Sequence, residues 1–557
     1  MMRKSLLPGA VALAVLAGCG GGDINIEPST SVNNSNNTTT NNTGNQNPNA
    51  VCASYTNSGG QEISGAFDGT NCIYAPSFSD AGNNITVDLT IPALANGGAH
   101  IFEGSLFIGE TFDTDAGLAA AGITEGGDGP VLTVEAGATL AWQTSADFLI
   151  INRGSQLFAV GREDAPITFT SVSDVNGTVA FDDVQQWGGM VVNGFGVTNN
   201  CDYTGSVAMG DLATTDCHVD AEGAAGLDES QYGGDNNDDS SGRMEYLRVK
   251  HTGAQVGNGD ELNGISFGGV GRNTIVENLQ VYSTFDDGIE MFGGAVNFTN
   301  FVGLYARDDT IDIDEGYAGT ITNALVIQNE TDGNHCIEAD GIASFSGLTG
   351  AEVEATIAQG INSRPTINNL TCIVSANGTA TATHDPGAGW RLREGIFAII
   401  NDSLVVSTYG PNDATSANDN YCLRVDNRSQ VAAQDGDLQV NNTIFACEEL
   451  TRGQTFPDGV TTEQSFAEAD GSVFATVAGV VDPTATADAG LQLLEGTPGF
   501  YSIQATALQV DGADPMITPT SGTIIGGVSL ADDWTQNWTF GLRDVAGGNA
   551  LAELWFQ

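Results

Sequence analysis

Between Gly264 and Gly341 apolar and polar positions alternate in short blocks that recur along the chain: Ile265-Ser266-Phe267-Gly268, Ile289-Glu290-Met291-Phe292, Ile311-Asp312-Ile313-Asp314 and Ile337-Glu338-Ala339-Asp340. Their starts are 24, 22 and 26 residues apart. A period of two with one apolar face predicts a half-buried β-strand in each block. Trp390-Arg391-Leu392-Arg393 and Leu423-Arg424-Val425-Asp426 fit the same frame after interruptions. Stacked in register, the first outward column reads Ser266, Glu290, Asp312, Glu338, Arg391, Arg424. Two residues on, a second reads Gly268, Phe292, Asp314, Asp340, Arg393, Asp426. The expectation is a strand face that carries charge from coil to coil.

A second periodic element follows each block, an apolar residue with Asn or Asp two positions later. It occurs as Val276 with Asn278, Phe298 with Asn300, Ile321 with Asn323, Ile367 with Asn369, Ile400 with Asp402 and Val440 with Asn442. Each coil thus has two strands and a polar turn, where an amide side chain caps backbone groups and bonds to its neighbours above and below. Self-similarity at this period predicts a solenoid whose coils bury their faces only against each other, here a parallel β-helix. Composition agrees, with 73 Gly in 557 residues, 7% aromatics and no long helical periodicity. A solenoid core grows along one axis, so one long domain suffices.

Arg3 and Lys4 precede an apolar stretch from Leu6 to Ala17, too short for a permanent membrane span and laid out as an export signal. It ends in Leu16-Ala17-Gly18-Cys19, which resembles the bacterial lipobox and implies lipidation of Cys19, with membrane contact only through that anchor. Gly20 stands where an Asp would favour inner-membrane retention, so the outer membrane is the expected destination. The predicted organisation is a signal peptide over 1–18, an Asn/Thr-rich tether over 19–49 that is too poor in apolar residues to fold, and an N-terminal cap over 50–129. The β-helix follows over 130–450, with acidic insertions at about 200–241 and 342–364. C-terminal coils and a cap occupy 451–557, with Trp534, Trp538 and Trp555 closing the last coil.

Removing Arg3 and Lys4 with the signal takes the basic residues from 16 to 14 against 70 acidic ones, a formal charge of minus 56 with Lys250 the one remaining lysine. Such a surface repels nucleic acid and anionic headgroups and suits a cationic or metal-bridged ligand. Eight cysteines besides Cys19 predict disulfides in an exported chain. Cys336 and Cys422 directly precede a charged strand, while Cys372 and Cys447 lie shortly past the Asn position of what reads as the same coil. The frame therefore predicts Cys336–Cys372 and Cys422–Cys447, with Cys52, Cys72, Cys201 and Cys217 pairing locally by default.

The segments Glu261-Leu262-Asn263-Gly264-Ile265, Asp286-Asp287-Gly288-Ile289-Glu290-Met291-Phe292-Gly293-Gly294, Asp308-Asp309, Glu315-Gly316-Tyr317 and Arg391-Leu392-Arg393-Glu394-Gly395 carry a resemblance to a family. Together they resemble β-helical bacterial lipoproteins of the pectin-lyase-like, right-handed parallel β-helix type, often encoded near TonB-dependent receptors. The resemblance covers about residues 130–450 and implies an all-β, single-stranded β-helix, a cell-surface or periplasmic location at the outer membrane and a possible receptor partner. It brings no established activity and no catalytic residues.

Acids stacked one coil apart stand about 4.8 Å from one another, and unit charges there repel by about 3 kcal/mol at an effective dielectric near 20. A hard cation, partial protonation or pairing with Arg391 and Arg424 further along the column would compensate; the expected ligands of a cation are Asp286, Asp287, Glu290, Asp308, Asp309, Asp312, Asp314, Glu338 and Asp340, with calcium as the ion. Arg391, Arg393 and Arg424 extend this face, with Glu290, Asp312 and Glu338, into a groove for a polysaccharide or a metal-bridged ligand. The alternative is a polysaccharide lyase or glycoside hydrolase acting on acidic polymers, since paired carboxylates can cleave glycosidic bonds. The Asn-Thr-Asp, His-Gly and Arg-Ile-Lys signatures of polygalacturonases are absent, however: Asp286 follows Thr284-Phe285, His335 precedes Cys336 and Arg391 precedes Leu392-Arg393.

Overall fold

Alternation in the repeated blocks dictates what is buried. Ile265, Ile289, Ile311, Ile337, Trp390 and Leu423 all point into one core and are fully buried. The computed structural model describes residues 52–79, 83–222, 230–254, 261–329, 332–375, 387–407, 421–447, 449–474, 503–504, 524–529 and 532–542. Cys19, the signal and tether, and Trp555 lie outside the described residues.

Ten strands, from Leu106–Ile108 to Glu449–Thr451, form one parallel sheet. Its register places Ser266 beside Glu290, Glu290 beside Asp312, Asp312 beside Glu338, Glu338 beside Arg391 and Arg391 beside Arg424. The charged column thus stands as the repeat predicts. A second large sheet carries the Asn-bearing strands, again parallel from coil to coil.

The Asn residues bend that second strand. Asn278, Asn300, Asn323, Asn369, Asp402 and Asn442 all adopt φ between 48° and 62°, a left-handed conformation that Asn and Asp tolerate best among non-glycine residues. Asn300 Nδ2 donates to Asn278 Oδ1 at 3.0 Å, and Asn323 Nδ2 to Asn300 Oδ1 at 3.0 Å. One position earlier Asn368, Asn401 and Asn441 form a second amide ladder at 2.9 Å spacing. The coil therefore has three faces rather than two, because the second strand turns at each Asn.

Disulfides join Cys336 to Cys372 and Cys422 to Cys447, the pairs that the coil frame predicts, and Cys52 to Cys72 and Cys201 to Cys217 close the local loops. Two boundaries differ from expectation. Parallel pairing of the coil type begins before 130, since Cys72–Tyr74 pairs with His100–Phe102, which pairs with Thr139–Trp142. Much of the expected cap already belongs to the stack. Trp534 and Trp538 also do not close an end. Ile525, Val528, Trp538 and Leu542 lie along the side of the stack, on an outward apolar strip that includes Tyr282, Val302, Leu304 and Leu325. The Gln280 amide clamps this strap by exchanging two bonds with the Phe540 backbone, at 2.6 and 2.7 Å. Apolar residues on both sides of that face left a strip whose cover had to come from elsewhere in the chain.

Candidate functional site

The insertion near 200–241 determines the environment of the charged face. Its hairpin, Val219–Asp220 with Gln231–Tyr232, packs on the outward side chains Phe107, Phe148, Ile150 and Val191 of the first strands and reaches Phe292. The Tyr232 hydroxyl donates to Glu315 Oε2 at 2.7 Å. Under this cover the face is not solvated, as an outward column would be. Asp287, Glu290 and Asp309 are buried, and Asp286, Asp308, Asp312, Asp314 and Glu338 are half-buried.

A third column runs two residues before each repeated block, through Asn263, Asp287, Asp309, His335, Ala388 and Tyr421. Each of its early members accepts the backbone N–H of the next rung: Asp287 N donates to Asn263 Oδ1 at 3.2 Å, Asp309 N to Asp287 Oδ1 at 2.9 Å and His335 N to Asp309 Oδ1 at 2.5 Å. These carboxylates therefore cap the turn as well as carry charge. His335 then links Asp309 to Tyr421, with Nδ1 2.8 Å from Asp309 Oδ1 and Nε2 2.8 Å from the Tyr421 hydroxyl. Burial lowers the His335 pKa to about 4, so the ring is neutral and carries one proton. One tautomer donates Nδ1–H to Asp309 and accepts the Tyr421 hydroxyl at Nε2; with Asp309 protonated, both bonds reverse.

The charged face divides into two halves. In one, Glu338 accepts from Arg391 at 2.8 Å and from Arg393 at 3.0 Å, Arg393 also binds Asp340, and Asp426 binds Arg424, with Arg391 3.8 Å away. These arginines are engaged by the acids beside them, so the groove expected from Arg391, Arg393 and Arg424 is internally neutralised. In the other half no arginine among the described residues reaches the acids. Ligand oxygens of Asp286, Asp287 and Asp308 lie within 4.8 Å of one another, as do those of Asp287, Glu290 and Asp312. Asp312 Oδ1 is buried with no hydrogen-bond partner. Burial first, and then neighbouring carboxylates, push Asp287, Glu290 and Asp312 well above the usual carboxylate range and Asp286 up to about 9.

Of the nine expected metal ligands, the structure brings Asp286, Asp287, Glu290, Asp308 and Asp312 together without compensation. Glu338 and Asp340 are paired with arginine, and Asp309 is engaged by His335. Asp314 receives the backbone N–H of Glu315 at 2.6 Å and stands apart from these groups. Asp309, His335 and Glu338 also converge within 4.8 Å, but Arg391 on Glu338 already supplies the positive charge that an ion would bring. Sequence reasoning missed Asn263, whose Nδ2 donates to Glu290 Oε2 at 2.5 Å, and also His335 and Tyr421. Extending the repeat frame two residues backwards would have found all three. It also missed Glu222, whose charge acts on Glu290 from the insertion, and which no periodicity marks.

The sequence model of one protein family, described as pectate-lyase like beta helix domain, matches residues 112–492. No curated protein and no solved structure matches the chain.

Proposed function

Because the chain belongs to the pectate-lyase-like β-helix family, we propose that it is a lipid-anchored outer-membrane β-helix whose acidic half-face holds a divalent cation, calcium, and through it an acidic extracellular ligand such as a uronate-rich polysaccharide. The observation that carries this reading is the group Asp287, Glu290 and Asp312: buried or half-buried carboxylates within 4.8 Å, without arginine, and with Asp312 Oδ1 unpartnered. Calcium prefers several carboxylate and carbonyl oxygens, and its charge offsets the burial and the like-charge repulsion that otherwise keep these groups protonated. The half-buried Asp286 and Asp308 stand at the rim, where a bound ion can share its remaining positions with a ligand carboxylate. Docking to a TonB-dependent receptor that imports such a ligand fits the same location.

Melting in calcium against chelator tests the ion. An upward shift is expected in the native chain and none in Glu290→Gln with Asp312→Asn; an equal shift in the double variant removes the site. The Cys19→Ala chain should leave the membrane fraction, and unchanged membrane association would sink the anchor.

A second reading is a polysaccharide lyase or hydrolase. It is favoured by the Asp309–His335–Tyr421 chain, which can move a proton toward or away from the Tyr421 oxygen. Incubation with a panel of acidic polysaccharides separates the two readings: unsaturated-uronate absorbance or new reducing ends supports catalysis, and binding without either supports capture.

A further inference from the structure

Lys250, the lysine that remains behind the predicted signal, is not on the surface. It sits in the coil strand Gly242–Thr252 with its side chain 6% exposed. Its Nζ lies 2.7 Å from Asp174 Oδ2, and the Asp174 side chain is 13% exposed. The Phe540 ring of the C-terminal strap covers the amine, with its centroid 3.7 Å from Nζ. Trp187 Nε1 ties the same residue down by donating to the Lys250 carbonyl at 2.7 Å. Burial pulls the Lys250 pKa below its ordinary value. Burial would raise Asp174, but Lys250 and Thr170 beside it hold its carboxyl below the usual range, so the reactive pair is the minor form in which one proton has passed from ammonium to carboxylate.

Two further groups complete the arrangement. Thr170 Oγ1 donates to Asp174 Oδ2 at 2.6 Å, and so can support negative charge on that oxygen during attack at the carboxyl carbon. His251 is buried with Nδ1 2.7 Å from the Asp183 carbonyl, which requires the proton on Nδ1. Its Nε2 is then a free lone pair; it has no hydrogen-bond partner and faces Asp174 Oδ1 at 3.7 Å. The site holds an amine, a carboxyl group, a hydroxyl donor and a base on four different residues, shielded by an aromatic ring.

We propose that Lys250 and Asp174 form an intramolecular isopeptide bond that locks neighbouring coils together beneath the C-terminal strap. The neutral amine attacks the Asp174 carboxyl carbon and forms the Nζ–Cγ bond. With the acid's own proton on Oδ1, Nε2 of His251 takes a proton from the nitrogen and hands it to Oδ1, which then carries two protons and leaves as water when the Cγ–Oδ1 bond breaks, while Oδ2 becomes the amide oxygen. One amine and one carboxylic acid become one amide and one water, with no oxidant or cofactor. The bond joins Asp174 in the helical turn Val172–Val175 to Lys250, 76 residues further on in the strand Gly242–Thr252, across the whole 200–241 insertion, a loop that none of the four disulfides closes.

Tryptic mapping of the reduced, purified chain tests this directly. Cleavage at Arg162, Arg243, Arg248 and Arg272 should yield residues 163–243 joined to residues 249–272, lighter than their sum by one water, with no cleavage after Lys250. Lys250→Arg keeps the positive charge beside Asp174 but cannot give this linked peptide, and Asp174→Ala cannot either. His251→Gln should leave the chain folded with the linked fraction reduced at least several-fold. Full release of the peptide that begins at His251 from the native chain, without loss of water, means that Lys250 and Asp174 are an ion pair only and overturns the proposal whatever the variants do.

Discussion

Glu290 and Arg391 occupy the same column of the same sheet, three coils apart, and face opposite situations. Around Arg391 each carboxylate has a guanidinium within reach: Glu338 and Asp340 are neutralised by arginines of the next coil, and Asp426 by Arg424 beside it in its own coil. Around Glu290 the rungs above and below are Asp312 and Ser266, and the insertion adds Glu222. Stacking in register copies position faithfully but is indifferent to charge. A column of acids therefore closes on itself only where the sequence switches to arginine, and where it does not, the fold leaves a demand for positive charge.

The largest effect should come from breaking the neutral half. Arg393→Met leaves Glu338 and Asp340 short of a partner in a half-buried place, and should lower stability by about 3 kcal/mol in denaturant unfolding. A loss under about 1 kcal/mol would make this half no more dependent on pairing than a surface ion pair.

Next in size is the response of the acidic half to calcium. At a hundredfold excess over Kd, binding to the native state alone raises stability by about 2.7 kcal/mol, read as a higher Tm that chelator reverses. Arg393→Met should keep that shift and Glu290→Gln with Asp312→Asn should lose it, which assigns the ion to one half.

Smaller still is the relief of repulsion without any ion. In chelator Asp312 must take up a proton on folding, because burial and its carboxylate neighbours raise its pKa; Asp312→Asn keeps the shape, is neutral in both states, and should stabilise by about 1–2 kcal/mol. Destabilisation in chelator would show that the carboxylate has a partner of its own.

The smallest effect is the pH slope that separates bare from loaded protein. Asp286 is raised by burial from an ordinary 3.8 to about 9. Its contribution is therefore complete below the ordinary value and is lost as pH rises through about 9. His335, lowered by burial from 6.5 to about 4, works the other way: its contribution is present above 6.5 and is lost as pH falls through about 4. In chelator Tm should fall from pH 7 to pH 9, and saturating calcium should flatten that fall. Parallel curves with and without calcium would detach the raised carboxyl groups from the ion site.

Much of this architecture was legible in the chain. Ile265, Ile289, Ile311 and Ile337 recur, each followed by a polar residue, which is enough to stack them and to place Glu290, Asp312 and Glu338 in one column. The Asn at 278, 300 and 323 follows from the same repeat, because a left-handed turn between two strands selects Asn and stacking lets the amides pair. Cys336–Cys372 and Cys422–Cys447 follow from the frame as well. All of these depend on contacts between a residue and its equivalents one coil away, and periodicity reports such contacts.

What periodicity does not report is what lies on top. That Tyr232 and Glu222 come over the face, and that Trp538 and Phe540 run along the side instead of closing an end, were decided by tertiary packing between segments with no shared repeat. Burial then reversed the character of the site. The same acids that the sequence orders into a solvated stripe become, under the insertion, carboxyl groups that hold protons, because removing water penalises charge wherever no arginine stands beside it.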